Sequence, residues 1–231
     1  MSLRATTARP RKILIVDDHP MMREGLAQLI GNDPSLEVCG EAGDANDAVE
    51  KINSLKPDLV LADITLPGKN GLELIKDIQT MHPAVLVLVI SMHDEALYVE
   101  RVLRAGARGY IMKQEGGKKI AQAIRQVLDG QIYVSEKMSA KILEIFSGHR
   151  ADVARSPVEK LTDREFEVFQ LIGQGVDTRQ MAEKLHLSTK TIEVHRANIK
   201  AKLQVNTMAG LIRYAVRWVE SQNTGAGGFP L

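Results

Sequence analysis

Five polar residues stand where short apolar runs give out. Asp17 and Asp18 follow Lys12–Val16, Asp63 follows Leu59–Ala62, Ser91 follows Ala84–Ile90, and Lys113 follows Arg108–Met112. Three carboxylates gathered in one small space repel one another, and a divalent cation with oxygen ligands relieves that repulsion. With one or two carboxylates, waters and a phosphate as ligands, Mg²⁺ suits such a site better than Ca²⁺. An ammonium and a hydroxyl at neighbouring positions can hold the oxygens of a phosphoryl group. Asp63 is then the natural nucleophile, and an acyl phosphate is its product. A single carboxylate at a strand end more often just caps a turn. Here four strand ends of five carry groups of one chemistry.

The elements that must position these groups alternate along residues 11–130. Strands are read at residues 12–16, 36–42, 59–62, 84–90 and 108–112, from short runs rich in branched residues. Helices are read at about residues 20–30, 45–55 (capped by Asp44), 71–81, 94–103 and 117–128. Pro67-Gly68 and Asn70-Gly71 mark a turn-rich loop after Asp63. Five βα units predict a parallel sheet with helices on both faces, and in such sheets ligands bind at the carboxyl ends of the strands.

Composition sets the outer limits. The chain has 231 residues, 44% hydrophobic and 26% charged, with a net charge of +1. That is ordinary for a soluble protein with one or two domains. Its single cysteine, Cys39, excludes an internal disulfide and a cysteine-rich metal site, which fits a cytoplasmic protein. No apolar run approaches the ~20 residues that span a bilayer, and residues 1–10 lack a secretory h-region and read as a tail. Residues 1–155 carry 20 basic and 21 acidic side chains, and residues 156–231 carry 10 and 8. Charge alone therefore announces no nucleic-acid partner. None of the six histidines forms a ligand-spaced pair on one helix. His19 is placed at the rim of the acidic pocket. His93 is read as a surface-loop residue, with modulation of phosphate hydrolysis as the alternative.

Beyond Gly130 the pattern changes. Ser135 is a helix cap, followed by a stripe of Met138, Ile142, Leu143, Ile145 and Phe146 that serves either domain docking or core packing. Residues 148–157 are polar and read as flexible linker. Thr162 with Glu165 forms a capping box, Asp177 with Gln180 repeats the pattern, Ser188 caps a third helix to about Leu203, and Asn206 opens a fourth. On the third helix Ile192, Ile199 and Leu203 share a core face, while Lys190, Glu193, Val194, Ala197 and Lys200 lie opposite. Small residues between lysines suit a major groove, and a solvated surface helix explains the same pattern equally well. Leu211, Ala215 and Trp218 form an apolar strip on the fourth helix, expected to exceed what one small domain buries and to form a two-fold dimer contact.

Residues 11–130, with Asp17-Asp18, Asp63, Ser91 and Lys113 in order, resemble the receiver domain of bacterial two-component response regulators. The resemblance implies a flavodoxin-like, doubly wound sheet in which Asp63 is the phosphoacceptor. It implies a Mg²⁺ site built from Asp18, Asp17, Asp63 and the backbone carbonyl of Thr65. It also implies that Lys113 pairs with the phosphoryl group, Ser91 moves towards it, and Tyr110 rotates inward behind. Gln114, where many receivers have proline, and Met92, where a smaller residue is common, depart from the pattern. Leu161-Thr162-Asp163-Arg164-Glu165 through Leu203 resembles the LuxR-type helix-turn-helix domain, over residues 157–220. Its recognition helix would then carry Glu193, Val194 and Ala197 to bases, with Lys190, Thr191 and Lys200 near the backbone. The family often has lysine where Glu193 and Ala197 stand.

Together these imply a NarL/FixJ-type transcriptional regulator: a receiver (11–130), a linker with one helix (131–156), an all-α four-helix DNA-binding domain (157–220) and a C-terminal tail (221–231). A sensor histidine kinase, promoter DNA and a second copy on DNA are the implied partners, with no membrane. The rivals are a Mg²⁺-dependent phosphatase using Asp63 and a phosphorylation-independent regulator. The first lacks an acid two residues after Asp63, where Thr65 stands, and the intact set of pocket residues speaks against the second.

Overall fold

Four of the five strands are apolar along most of their length, as burial on both faces of a sheet requires. In the computed structural model, which describes residues 9–136, 138–139 and 157–223, they are β1 (Arg11–Val16), β3 (Leu59–Ala62), β4 (Leu86–Ser91) and β5 (Gly109–Met112), and β2 (Leu36–Ala42) is the more polar fifth. They form one parallel sheet in the order β2-β1-β3-β4-β5. The crossovers are α1 (Pro20–Gly31), α2 (Ala45–Leu55), α3 (Gly71–Met81) and α4 (Glu95–Ala105), and α5 (Gly117–Leu128) follows β5. β3, at the centre, is buried at all four positions. The chain order reverses between β1 and β3, so the carboxyl ends of these two strands open the crevice where such sheets bind ligands.

Local chemistry starts the helices. Asp44 accepts from the N–H groups of Asn46 and Asp47, Asp94 from that of Ala96, and Asn70 with Glu73 closes a capping box ahead of α3. On one side of the sheet Ile13, Ile15, Leu61, Leu88, Ile90 and Ile111 join residues of α1 and α5 in a single core.

The chain divides into two units, Met1–Ser135 and Glu136–Leu231. The boundary falls at Ser135 because the strand-like segment after α5 returns to the sheet. Tyr110 N donates to Tyr133 O (2.9 Å) and Tyr133 N to Arg108 O (3.0 Å). Gly109 makes this approach possible, since a Cβ there would stand 2.6 Å from Tyr133 O. Ser135 N donates to the buried Glu95 carboxylate (2.8 Å), which ties the end of this segment to α4. The stripe at Ile142–Phe146, the linker at 148–156, and the two expected tails except for residues 9–10 and 221–223 lie outside the described residues.

The second unit holds a short 3₁₀ turn (Pro157–Lys160) and helices α6 (Asp163–Gly173), α7 (Thr178–Lys184), α8 (Thr189–Leu203) and α9 (Met208–Asn223). Thr162 and Glu165 form the expected capping box, and Asp177 and Ser188 cap α7 and α8 through Gln180 N and Thr191 N. The apolar strip of α9 is corrected by the structure. Leu211 and Ala215 are fully buried and Trp218 is nearly so. The Trp218 ring packs edge-on against Phe166 (5.5 Å between centroids) and against Phe169 (5.6 Å). Ala215 O lies where a Cβ on Gly173 would meet it at 2.6 Å, so α6 and α9 touch through backbone. The strip is the core of this unit, not a spare surface for a dimer. Ile212, Arg213 and Arg217 are the exposed side chains of that helix stretch.

Candidate functional site: an acidic pocket and an exposed helix

Asp17 and Asp18 leave β1 at its carboxyl end, Asp63 leaves β3, Ser91 ends β4 and Lys113 leaves β5, so the sheet itself gathers them. Backbone ladders carry the register past the strand ends. Asp63 N donates to Val16 O (2.8 Å), Asp17 N to Ala42 O (3.1 Å), and Lys113 N to Ser91 O (2.8 Å). The Lys113 ammonium lies 2.6 Å from Asp17 Oδ2 and 2.7 Å from Asp63 Oδ2. All three side chains are at most 5% exposed. Burial pushes the Asp63 carboxyl above the usual carboxylate range, against the pull of Lys113 and with the repulsion of Asp17. Burial works against the Lys113 ammonium too, but the attraction of Asp63 and Asp17 outweighs it and holds its pKa above the ordinary lysine value.

One ammonium does not balance three carboxylates. Donor atoms from Asp17, Asp18, His19 and Asp63 all lie within 4.8 Å of one another. A compact set of hard oxygens with surplus negative charge fits a small dication, and it fits Mg²⁺ by donor chemistry.

The loop after Asp63 is held tightly. Ile64 N donates to Asp63 Oδ1 (2.6 Å), Ile64 and Leu66 are fully buried, and Gly71 N donates to Ile64 O (2.8 Å). A Cβ on Gly71 would meet the Asp63 carbonyl and stand 2.7 Å from Ile64 Cα. The sequence shows Gly71 only as part of a turn, and nothing in it reveals this close approach.

Ser91 is fully buried, and its hydroxyl accepts from His93 N (3.3 Å). Tyr110 is also fully buried and donates its hydroxyl to His93 O (2.8 Å), so its ring is already inside. Burial raises its phenol well above the usual value. His93 is not a plain surface residue. It is half-buried, its Nε2 lies 3.0 Å from Thr65 Oγ1, and its ring centroid is 4.8 Å from that of Tyr98. Met92 beside it is 56% exposed, and Gln114 lies in a turn closed by Glu115 N and Met112 O (3.0 Å).

In the second unit α8 buries Ile192, Ile199 and Leu203 and turns Lys190, Glu193, Val194 and Ala197 outward, with Lys200 half-buried at the edge. Val194 is 52% exposed, a single apolar side chain left outside the core. Ties to α6 and α7 fix this helix. Lys202 donates to Glu165 of α6 (2.6 Å) and Arg196 to Thr178 of α7, while the buried Arg164 joins α6 to the end of α7 by donating to Leu185 O (3.1 Å). Glu193 is not a free acid. It accepts from Arg196 Nη1 (2.9 Å) and from Thr178 Oγ1 (3.2 Å), and Arg196 also reaches Thr178. Thr191 Oγ1 lies 2.7 Å from Ser188 Oγ within the cap. Asn198, one turn beyond Val194 and exposed, is a polar neighbour that the sequence pattern does not single out.

Two family models match the chain: the response regulator receiver domain over residues 13–125, and the bacterial regulatory proteins of the luxR family over 159–215. The transcriptional regulatory protein DegU of Brevibacillus brevis is 33% identical over 224 residues, covering 90% of this chain and 95% of that protein. The oxygen regulatory protein NreC of Staphylococcus haemolyticus (strain JCSC1435) is 34% identical over 210 residues, covering 89% and 97%. The chain belongs to the NarL/FixJ family of response regulators. A structure of RcsB from Salmonella enterica serovar Typhimurium, bound to promoter rprA with the phosphomimetic BeF₃⁻, shares the fold. Its TM-score is 0.59 at 24% identity, covering 90% of this chain and 99% of that one.

As a NarL/FixJ response regulator the chain is a transcription regulator with a receiver and a LuxR-type DNA-binding domain. Among the described residues no helix is long and apolar enough to cross a membrane.

Proposed function

We propose that Asp63 is the phosphoacceptor of this regulator and that a sensor histidine kinase supplies the phosphoryl group. The observation that carries this reading is the buried Asp63 carboxylate, 2.7 Å from Lys113, at the junction of the three-carboxylate cluster. An Asp63 oxygen attacks phosphorus, the bond from phosphorus to the donor's nitrogen breaks, and an acyl phosphate forms. Lys113 then turns its charge from the carboxylate to the new phosphoryl oxygens, and the Ser91 hydroxyl follows. Tyr110, already inside, keeps the space behind Ser91 closed. Asp17, Asp18, Asp63 and the backbone carbonyl of Thr65 would hold Mg²⁺. When bound, the ion neutralises charge that develops on the transferring group. The receiver catalyses only its own phosphorylation and dephosphorylation.

The receiver spans residues 11–130 with 131–135 returning to its sheet, a linker follows to 156, and 157–220 bind DNA. Val194 and Ala197 face bases, while Lys190 and Lys200 meet phosphates. Thr191 works through the helix cap. Glu193, held by Arg196, adds little free negative charge to the groove. Two copies bind a two-fold site, a reading supported by an RcsB structure, 25% identical to this chain with a TM-score of 0.56, that holds two dimers on two parallel DNAs. The protein acts in the cytoplasm, where kinase and promoter meet.

The test is covalent. Incubation with Mg²⁺ and a small acyl phosphate should add the mass of one phosphoryl group, labile to hydroxylamine and absent from Asp63→Asn. Labelling that persists in the Asn variant would place the nucleophile elsewhere.

A further inference from the structure

The oxygen-based cation site makes no use of one donor in the pocket, the imidazole of His19. Its backbone N–H donates to Asp17 Oδ1 (2.9 Å), closing a short turn over the acidic pair. Pro20 behind it favours extended backbone, and His19 has φ −92° and ψ 110°. This turn brings Nδ1 to 2.7 Å from Asp18 Oδ1 and 3.3 Å from Asp17 Oδ1. The side chain is otherwise 68% exposed.

Donors set about 2.1 Å from an octahedral ion lie about 3.0 Å apart when adjacent and about 4.2 Å when opposite. The His19 nitrogen therefore stands from both carboxylates at the spacing of an adjacent ligand. Donor atoms of all four residues fall within 4.8 Å, little more than one coordination sphere. Mg²⁺ gains little from an imidazole, because it prefers oxygen and keeps its waters. First-row transition dications accept imidazole readily, with affinity rising from Mn²⁺ to Co²⁺ and beyond.

We propose that His19 Nδ1 is a metal ligand of the acidic pocket, so that the pocket binds Mn²⁺ or Co²⁺ through one nitrogen and several oxygens and favours them over Mg²⁺ beyond what its carboxylates alone supply. This rests on the reading that the pocket holds a dication. It adds a fifth residue to the ligands named above and makes that residue the one that sets metal choice.

The experiment uses the full chain, the His19→Ala variant and an Asp18→Ala control. Each is titrated calorimetrically with Mg²⁺, Mn²⁺ and Co²⁺, and the electron spin-echo modulation of bound Mn²⁺ is recorded. The wild type should show the nitrogen modulation of directly bound imidazole, and His19→Ala should lose it. Co²⁺ affinity in His19→Ala should fall at least roughly tenfold, the lower end for loss of even an outer-shell partner. Mg²⁺ affinity should change less than about twofold, because that ion does not seek nitrogen. Asp18→Ala should weaken all three ions. Thermal unfolding of the metal-free variant checks that the exposed substitution leaves the fold intact. If the wild type binds Mn²⁺ without nitrogen modulation, or if His19→Ala weakens Mg²⁺ and Co²⁺ alike, His19 only hydrogen-bonds to Asp18 and the proposal is overturned. If the wild type binds none of the three ions, the dication reading itself fails, an outcome distinct from the first.

Discussion

The Lys113 ammonium sits 2.7 Å from Asp63 Oδ2 with both side chains buried, so the lysine already occupies the side of the carboxylate where new phosphoryl oxygens would appear. The same ammonium is 2.6 Å from Asp17 Oδ2. It is thus the counter-charge of the pocket before any cation or phosphoryl group arrives.

Lys113→Ala should leave Asp17 and Asp63 buried side by side without that counter-charge. Breaking a buried pair in this way costs about 3–5 kcal/mol. Urea unfolding of the metal-free protein at neutral pH should show the loss in the receiver transition, and added Mg²⁺ should restore part of it. An unchanged midpoint would mean that the carboxylates do not depend on Lys113.

Asp63→Asn makes a pH-dependent comparison. The folded-state pKa of Asp63 is raised, chiefly by burial. A raised carboxyl contributes stability below its unfolded pKa and loses that contribution as pH rises through the folded value. Stability of the wild type relative to Asp63→Asn should therefore be greatest in acid and decline as pH rises from about 4 towards neutrality. A difference that stays flat across that range would contradict the burial of an ionising carboxyl at this position.

Two glycines give a paired test of the loop that holds Asp63. Gly71→Ala puts a Cβ against the Asp63 backbone and should destabilise by about 1–3 kcal/mol or more. Gly25→Ala, inside α1 with open space at its Cβ, should stabilise by roughly 0.5–1 kcal/mol. Equal effects from the two would show that close approach at Gly71 does not matter.

Much of the fold and of the pocket is legible in the sequence. Asp44, Thr162, Asp177 and Ser188 announce helix starts because their side chains satisfy local N–H groups, which is a matter of near neighbours. The strand ends announce the pocket because a parallel sheet gathers its carboxyl ends whatever the detail. What stays hidden depends on partners distant in the chain. The Leu211–Ala215–Trp218 strip looks surplus on its own helix, and only the two phenylalanines of α6 show that it is core. Glu193 looks like a bare acid until Arg196 and Thr178 are seen on it. His93 looks like loop until Thr65 and Tyr98 close on it.

Trp218→Ala should accordingly act on folding. Emptying a buried aromatic site costs about 3–5 kcal/mol, read as a lower unfolding midpoint of the second unit. A variant that folds as stably as the parent and has lost only self-association would return Trp218 to the surface.

If α8 enters the groove, Lys200→Ala should weaken all duplexes alike and reduce the salt slope by about 1. Val194→Ala should cost about 1–3 kcal/mol at one base position with the slope nearly unchanged. Glu193→Ala should release Arg196 and steepen the salt dependence on scrambled DNA. Binding titrations across a range of salt separate the three. Identical slopes and identical discrimination in all variants would remove this face from the groove.

The central claim is that the state of Asp63 governs the DNA-binding half of the chain. It is tested most directly by selecting bound genomic fragments with the full chain, then titrating one such duplex with and without beryllofluoride and Mg²⁺, for wild type and Asp63→Asn. The mimic should change wild-type affinity at least several-fold and leave Asp63→Asn unmoved. Equal affinity of the wild type in both conditions, or an equal response from the Asn variant, would contradict it.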